Sequence, residues 1–224
     1  MFEKVSVLVP TRQRIARLRT LITSFDQTTG NAPNAELVFR VDEDDPGTRD
    51  FLLAWGGHKV VVGPRMKGYG SMPTFFNELH RASAGDVLMC GNDDMVFQTN
   101  GWPAAILAEA NKHPDGLFNI GVTTYNEDHY PFSCVSRKAA DVLGFLWDPR
   151  IFWGDIFLRD VMGTLERTVK LSNVCIDHDW AGSNPDQVFL ESDKDITAHD
   201  PQYWDVTHKQ AVREAVARLS GAVA

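Results

Sequence analysis

Residues 88–97 read LMCGNDDMVF: the apolar run Leu88-Met89-Cys90 is interrupted by Gly91-Asn92-Asp93-Asp94 and resumed by Met95-Val96-Phe97. Carboxylates are rarely buried without partners, so acids that break such a run mark the point where a strand leaves the core. Asp86 to Cys90 therefore reads as a buried strand whose end turns at Gly91-Asn92. Asp93 and Asp94 then project into a crevice before Met95-Val96-Phe97 re-enters the core.

The same pattern recurs upstream. Val5-Ser6-Val7-Leu8-Val9 reads as a buried strand, and Ile15, Leu18, Leu21, Ile22 and Phe25 follow at helical spacing. Glu36 to Val41 forms a second strand, a short helix covers 47–55, and Lys59 to Val62 forms a third strand. A helix over 73–83 leads into the strand at 86–90. Strands joined by helices predict an α/β fold with a mostly parallel central sheet and helices on both faces. Beyond residue 97 the rhythm changes to helix 102–112, strands near 117–122 and 132–135, helices 137–143 and 155–165, and a strand over 168–174. From Asp205 the spacing of Val206, Ala211, Val212, Ala215, Val216 and Leu219 predicts one amphipathic helix that packs on the body or on a partner.

A chain of 224 residues, 43% hydrophobic and without internal repeat or low-complexity tract, suffices for one core over 1–200, with 201–224 as an appended helix. The net charge of −8 argues against a protein that coats nucleic acid nonspecifically, although a local basic groove stays open. Cys90, Cys134 and Cys175 are odd in number, lack close pairing and sit in apolar runs, which reads as reduced core thiols of a cytoplasmic protein. No stretch has the length of apolar residues a membrane span requires, and the N-terminus has no signal-peptide pattern.

The strand ends carry the chemistry. They read Pro10-Thr11-Arg12, Asp42-Glu43-Asp44-Asp45-Pro46, Gly63-Pro64-Arg65-Met66-Lys67-Gly68 and Gly91-Asn92-Asp93-Asp94. In a parallel sheet these meet at one edge, where ligands bind. Acids beside cations and glycines suit a ligand both hydroxylated and anionic, with a divalent metal between carboxylate and phosphate; a sugar nucleotide has that description. A dinucleotide fingerprint is absent, since strand one is followed by Pro10-Thr11-Arg12-Gln13-Arg14, and no phosphate-binding G-x-x-x-x-G-K-[ST] occurs. The acidic run at 42–45 is not a calcium loop, because Leu53 stands where a bidentate Glu is needed. Asp44 and Asp45 read instead as a solvated turn and a helix cap before Pro46.

Taken in order, V-S-V-L-V-P-T-R, the Asp closing strand two, Gly68 to Asn77, G-D-V-L-M-C-G-N-D-D, P-F-S-C-V-S-R-K-A-A-D-V-L-G-F and F-W-G-D resemble the family-2 glycosyltransferases of GT-A fold, over roughly residues 4–180. The likeness is closest to short phage-encoded members, where a late W-D-x-T-H also occurs, here Trp204 to His208. The resemblance implies a metal-dependent inverting transfer from a nucleotide diphosphate sugar, a UDP-sugar first among candidates, with 1–97 as the donor half and 98–200 as the acceptor half. Thr11, Arg12 and Asp42, with Pro10 beside them, line the base and ribose pocket. Arg65 and Lys67 approach the diphosphate, on electrostatic grounds more than by motif. Asp93 matches the metal-holding acid and Asp94 its neighbour, but Gly91 and Asn92 replace the first two positions of D-A-D-D. The Mn²⁺ or Mg²⁺ site then leans on Asn92 and on a later histidine, His178, which follows the last strand; His199 and His208 are weaker candidates.

Asp155, in Trp153-Gly154-Asp155, matches the Asp of the family's G-E-D segment and is the expected catalytic base. A plainer role is open to it, since acids are favoured near helix N-termini, and Trp147 and Trp153 beside it serve either core packing or stacking. The acceptor is a glycan or a hydroxymethylated base in phage-type DNA, and a phage-encoded enzyme works in the host cytoplasm. The missing first acid keeps a second class open, a noncatalytic carbohydrate or nucleotide-sugar binding module on the same fold.

Overall fold

A computed structural model describes residues 1–30, 34–66, 68–124, 131–178 and 203–222, with the His178 side chain outside it. Strand β1 (Val5–Thr11) is followed by α1 (Ile15–Thr29), β2 (Ala35–Asp42), α2 (Pro46–Trp55), β3 (Lys59–Gly63), α3 (Met72–Ala82) and β4 (Val87–Cys90). Next come β5 (Met95–Phe97), α4 (Trp102–Ala110), β6 (Asn119–Thr123), β7 (Cys134–Ser136), α5 (Arg137–Leu143), α6 (Gly154–Thr164) and β8 (Thr168–His178). A π-helical turn, Tyr203–His208, runs into α7 (Lys209–Gly221).

Among the described residues the sheet is eight-stranded, in the order β3-β2-β1-β4-β7-β6-β8-β5. The pairings β1–β2, β2–β3, β1–β4 and β6–β8 are parallel, while β7 runs antiparallel to both neighbours and β5 antiparallel to β8. Alternation along each strand divides the apolar residues between two cores. Val7, Val9, Leu37 and Phe39 pack with Leu18, Leu21, Ile22 and Ile106 on one face. Leu8, Val38, Leu88 and Cys90 pack with Phe76, Leu79, Ala139, Phe157 and Leu219 on the other. Helices therefore cover both faces, and strands buried on both sides read as near-continuous apolar runs.

One departure from the sequence reading shapes the site. The last strand does not stop at Val174 but continues to His178, because its pairing shifts: a β-bulge opposite Val122–Thr123 carries the register from Leu171 to Cys175. The end of β8 then pairs with β5, setting His178 opposite Met95, so this residue closes the strand instead of following it. His80 is buried in α3 and pairs with Asp141 at 3.1 Å. Among the described residues no helix is long and apolar enough to cross a membrane.

Candidate functional site

The carboxyl ends of β1, β2 and β4 converge. Just past β4, Asp93 is 3% exposed and Asp94 7%. The Thr11 hydroxyl donates to Asp93 Oδ2 at 2.8 Å and Arg14 Nη1 to Oδ1 at 2.9 Å. Arg17, one helical turn further along α1, reaches Asp94 Oδ2 at 3.4 Å. Burial pushes the Asp93 carboxyl up and the Asp94 charge adds to this; Arg14 and the Thr11 hydroxyl oppose it without cancelling it.

A second cluster lies at the end of β2. Arg12 donates to Asp42 Oδ2 at 3.1 Å and, in a fork, to both oxygens of Asp44. Arg65 Nη1 donates to the same Asp44 at 3.2 Å, so Asp44 bridges Arg12 and Arg65. Burial acts against the Arg12 charge, but Asp44 and Asp42 more than offset it and raise its pKa. Beneath them Arg40, whose side chain is 2% exposed, pairs with Asp42, donates to Glu78 at 3.2 Å and to the Pro64 carbonyl, and lies 4.0 Å over the Phe75 ring. Asp45 caps α2 by accepting from the Thr48 amide at 3.2 Å.

The structure thus brings Thr11, Asp93 and Asp94 together, and Arg12, Asp42 and Arg65 together. Thr11, expected at the base and ribose, spends its hydroxyl on Asp93. Pro10 lies in β1 opposite Arg40 of β2. Asn92 is half-buried in the link from β4 to Asp93. Lys67 and His199 lie outside the described residues, and of His178 the backbone alone is placed, one pairing position beyond Asp94.

The glycine in the altered acidic motif is explained by packing. A Cβ on Gly91 would stand 2.7 Å from Met95 Sδ, 3.1 Å from Val7 Cγ1 and 3.2 Å from the Leu8 carbonyl. An acid at this position would have to push the Met95 thioether aside and press on Val7 and the Leu8 carbonyl of β1, so the exchange of the first acid for glycine belongs with the tight β1–β4 packing.

Asp155 lies in the first turn of α6, half-buried. Burial pushes the Cys90 thiol at the end of β4 up to about 12, and the Asp155 charge acts in the same direction. Its backbone is set by a chain of contacts. Asn77 Oδ1 accepts the amides of Leu146 and Trp147 at 2.8 and 3.1 Å, and its Nδ2 donates to the Trp147 carbonyl at 2.9 Å. The Trp147 ring stacks on Phe76 with centroids 4.1 Å apart and fills the space a Cβ of Gly154 would take. Here Trp147 serves packing.

Arg14, Arg17 and Arg40 were not legible as site residues. A signal existed for each: Arg14 and Arg17 are spaced to share a face of α1, and an arginine inside the apolar strand Leu37 to Val41 needs a buried anion, which Asp42 on the same face supplies. Among the described residues no group of three or more His, Cys, Asp or Glu side chains is arranged to hold a metal ion.

The sequence matches no protein-family model and no curated protein. The fold matches solved structures throughout its length. A mannosyltransferase from Pyrobaculum calidifontis, PcManGT, in complex with GDP-Man and Mn²⁺, aligns over 99% of this chain and 74% of its own at 12% identity, with a TM-score of 0.65. S. aureus TarS 1-349 aligns over 98% of this chain and 81% of its own at 13% identity, TM-score 0.61. Its complex with UDP gives 98%, 80%, 12% and 0.60 respectively. The chain therefore has the GT-A architecture of glycosyltransferases, a mixed α/β fold with a large, mostly parallel sheet flanked by helices.

Proposed function

We propose that the protein is an inverting glycosyltransferase that moves a sugar from a nucleotide diphosphate sugar to an acceptor hydroxyl. The observation that carries this reading is the buried pair Asp93–Asp94 at the carboxyl end of β4, beside the Arg12–Asp42–Arg65 cluster. Residues 1–97 bind the donor and 98–200 form the acceptor side. Arg12 and Asp42, with Pro10 and Thr11, hold base and ribose; Arg65 and Lys67 face the diphosphate, with Asn92 beside Asp93.

The donor set fits Mn²⁺ or Mg²⁺, because adjacent buried carboxylates are hard oxygen ligands whose mutual repulsion a cation relieves. Asp93 and Asp94, with His178 at the neighbouring strand end, would hold it, and the ion would supply charge stabilisation to the departing diphosphate. Arg14 and Arg17 also offset the charge of the two acids. Asp155 takes the proton of the acceptor hydroxyl as that oxygen bonds to the anomeric carbon and the carbon–phosphate oxygen bond breaks, its electron pair leaving with the nucleoside diphosphate.

Calorimetry of UDP and GDP with and without Mn²⁺, followed by a mass-spectrometric screen of sugar donors and acceptors, tests the reading. Both nucleotides are needed, since the structural neighbours include a GDP-Man and a UDP complex. Asp155→Ala should keep donor binding and lose transfer; absence of metal-dependent nucleotide binding in the wild type would sink the proposal. The acceptor is a glycan or a hydroxymethylated base in phage-type DNA, in the second case within the host cytoplasm. Transfer to DNA should weaken steeply with salt as counterions are released, and transfer to a neutral glycan should not.

The packing that shuts an acid out of Gly91 favours one competing reading, a noncatalytic nucleotide-sugar binding module. Slow donor hydrolysis that disappears in Asp155→Ala would eliminate it.

A further inference from the structure

The turn Tyr203–His208, which holds the W-D-x-T-H stretch, has no part in the chemistry above, yet it grips α6 at two points. Tyr203 is 7% exposed, and its hydroxyl oxygen accepts the amide of Phe152 at 2.8 Å. Phe152 immediately precedes Trp153, the N-cap residue of α6, and stands three residues before Asp155. An amide just outside a helix has no intrahelical acceptor, and the phenolic oxygen supplies one here. The Tyr203 ring also packs on Phe152, centroids 5.2 Å apart. At the other end of the turn His208, 4% exposed, meets Asp160 Oδ2 at 2.9 Å in the middle of α6. Trp204 lies against the His208 ring at 5.0 Å, and Phe157 of α6 meets it edge-on at 6.5 Å. The turn is itself anchored through α7, where Glu214 pairs with Arg150 at 2.8 Å and Arg218 donates to the Leu143 carbonyl at 2.9 Å.

The residue proposed as base thus stands between two grips of a segment remote in sequence. We propose that Tyr203 is a positioning residue for Asp155, and that the Tyr203–His208 turn fixes the direction of the first turn of α6 through the Phe152 amide and ring. The inference rests on the reading of Asp155 as the base. A static prop with no bearing on the reaction would lower stability and leave the chemical step alone; a positioning residue must alter the step itself.

Tyr203→Phe keeps the ring and deletes the acceptor oxygen. A displacement of about 1 Å at a reacting group costs up to about 100-fold in rate, so kcat should fall by roughly 10- to 100-fold with nucleotide Kd unchanged. The acid limb of the kcat–pH profile should also move as the surroundings of Asp155 change. Glu214→Ala, which loosens α7 without touching the start of α6, serves as the stability control and should leave kcat and the pH limb in place. Hydrogen exchange supplies a readout independent of turnover: the 152–156 amides should exchange about tenfold faster in Tyr203→Phe, as expected for loss of about 1.4 kcal/mol of local protection. Unchanged exchange over 152–156 would overturn the inference whether or not transfer is detected. So would an active Tyr203→Phe with wild-type kcat and pH profile. A wild type that binds nucleotide but transfers nothing, with exchange altered as expected, would instead count against Asp155 as base while leaving the grip on α6 standing.

Discussion

Gly154→Ala sets two effects of opposite sign against each other. Helix propensity favours Ala over Gly by about 0.8–1.0 kcal/mol in a helix interior and by less at the first position of α6, where Gly154 stands, so a helix considered alone should gain stability. The packing points the other way. An ideal Cβ on Gly154 would lie 1.8, 2.0 and 2.4 Å from Cδ2, Cε2 and Cγ of Trp147. Carbon atoms pack at about 3.5–4.0 Å, so ring and helix must separate by roughly 1.5–2 Å. The ring has little room to yield, because Asn77 holds the Trp147 amide and carbonyl and Phe76 stacks on its face. Overpacking costs about 1–3 kcal/mol in ordinary cores, and an overlap this deep against a fixed ring belongs at about 3. Net destabilisation is then about 2 kcal/mol, which for a chain of this length lowers Tm by about 4–8 °C. Urea unfolding and a thermal melt of both proteins measure it. A Tm at or above the wild-type value would refute the reasoning, since it would mean that propensity wins and that Trp147 is free to move. In the double variant with Trp147→Leu the Ala substitution should become nearly neutral, as expected for two residues coupled through one contact.

Three further outcomes follow from the ion pairs and the acidic motif. Arg40→Met should destabilise by about 3 kcal/mol, the lower end for a broken buried pair because Arg12 still reaches Asp42, and much of the loss should return in Arg40→Met/Asp42→Leu, measured by urea unfolding. Asp93 has a folded-state pKa raised by burial, so its proton is held more tightly in the folded chain and its contribution to stability improves as pH falls through that value toward the unfolded one. Wild type should therefore gain on Asp93→Asn as the pH is lowered from neutral, the reverse of the acid-side loss expected for Asp148, whose carboxyl Arg150 holds low despite burial. Paired melts across pH check the sign. Gly91→Ala should cost about 1–3 kcal/mol and Gly91→Asp more, so restoring the acid that the family pattern carries should weaken the protein rather than improve metal binding.

The α/β alternation was legible because it is local: apolar runs at strand period and apolar residues at helical spacing declare themselves within a few residues. So was the polar end of the sheet, since acids and glycines that stop an apolar run cannot sit inside it. Asp45 as a helix cap followed from its place before Pro46. What each charged residue pairs with did not follow, because Arg14 meets Asp93 across 79 positions and Arg40 meets Glu78 across 38. The packing partners of glycines were equally hidden. The sequence shows that Gly91 departs from a motif, and only the approach of Val7, Leu8 and Met95 shows how little room a side chain has there. Likewise W-G-D is readable as a helix start carrying an acid, whereas the indole beneath Gly154 and the phenol of Tyr203 behind Phe152 come from segments distant along the chain. Local composition and periodicity determine which residues enter strands, helices and strand ends; which of them touch is decided when strands close the sheet in an order different from that of the chain, since β4 neighbours β7 and β8 curves back to β5.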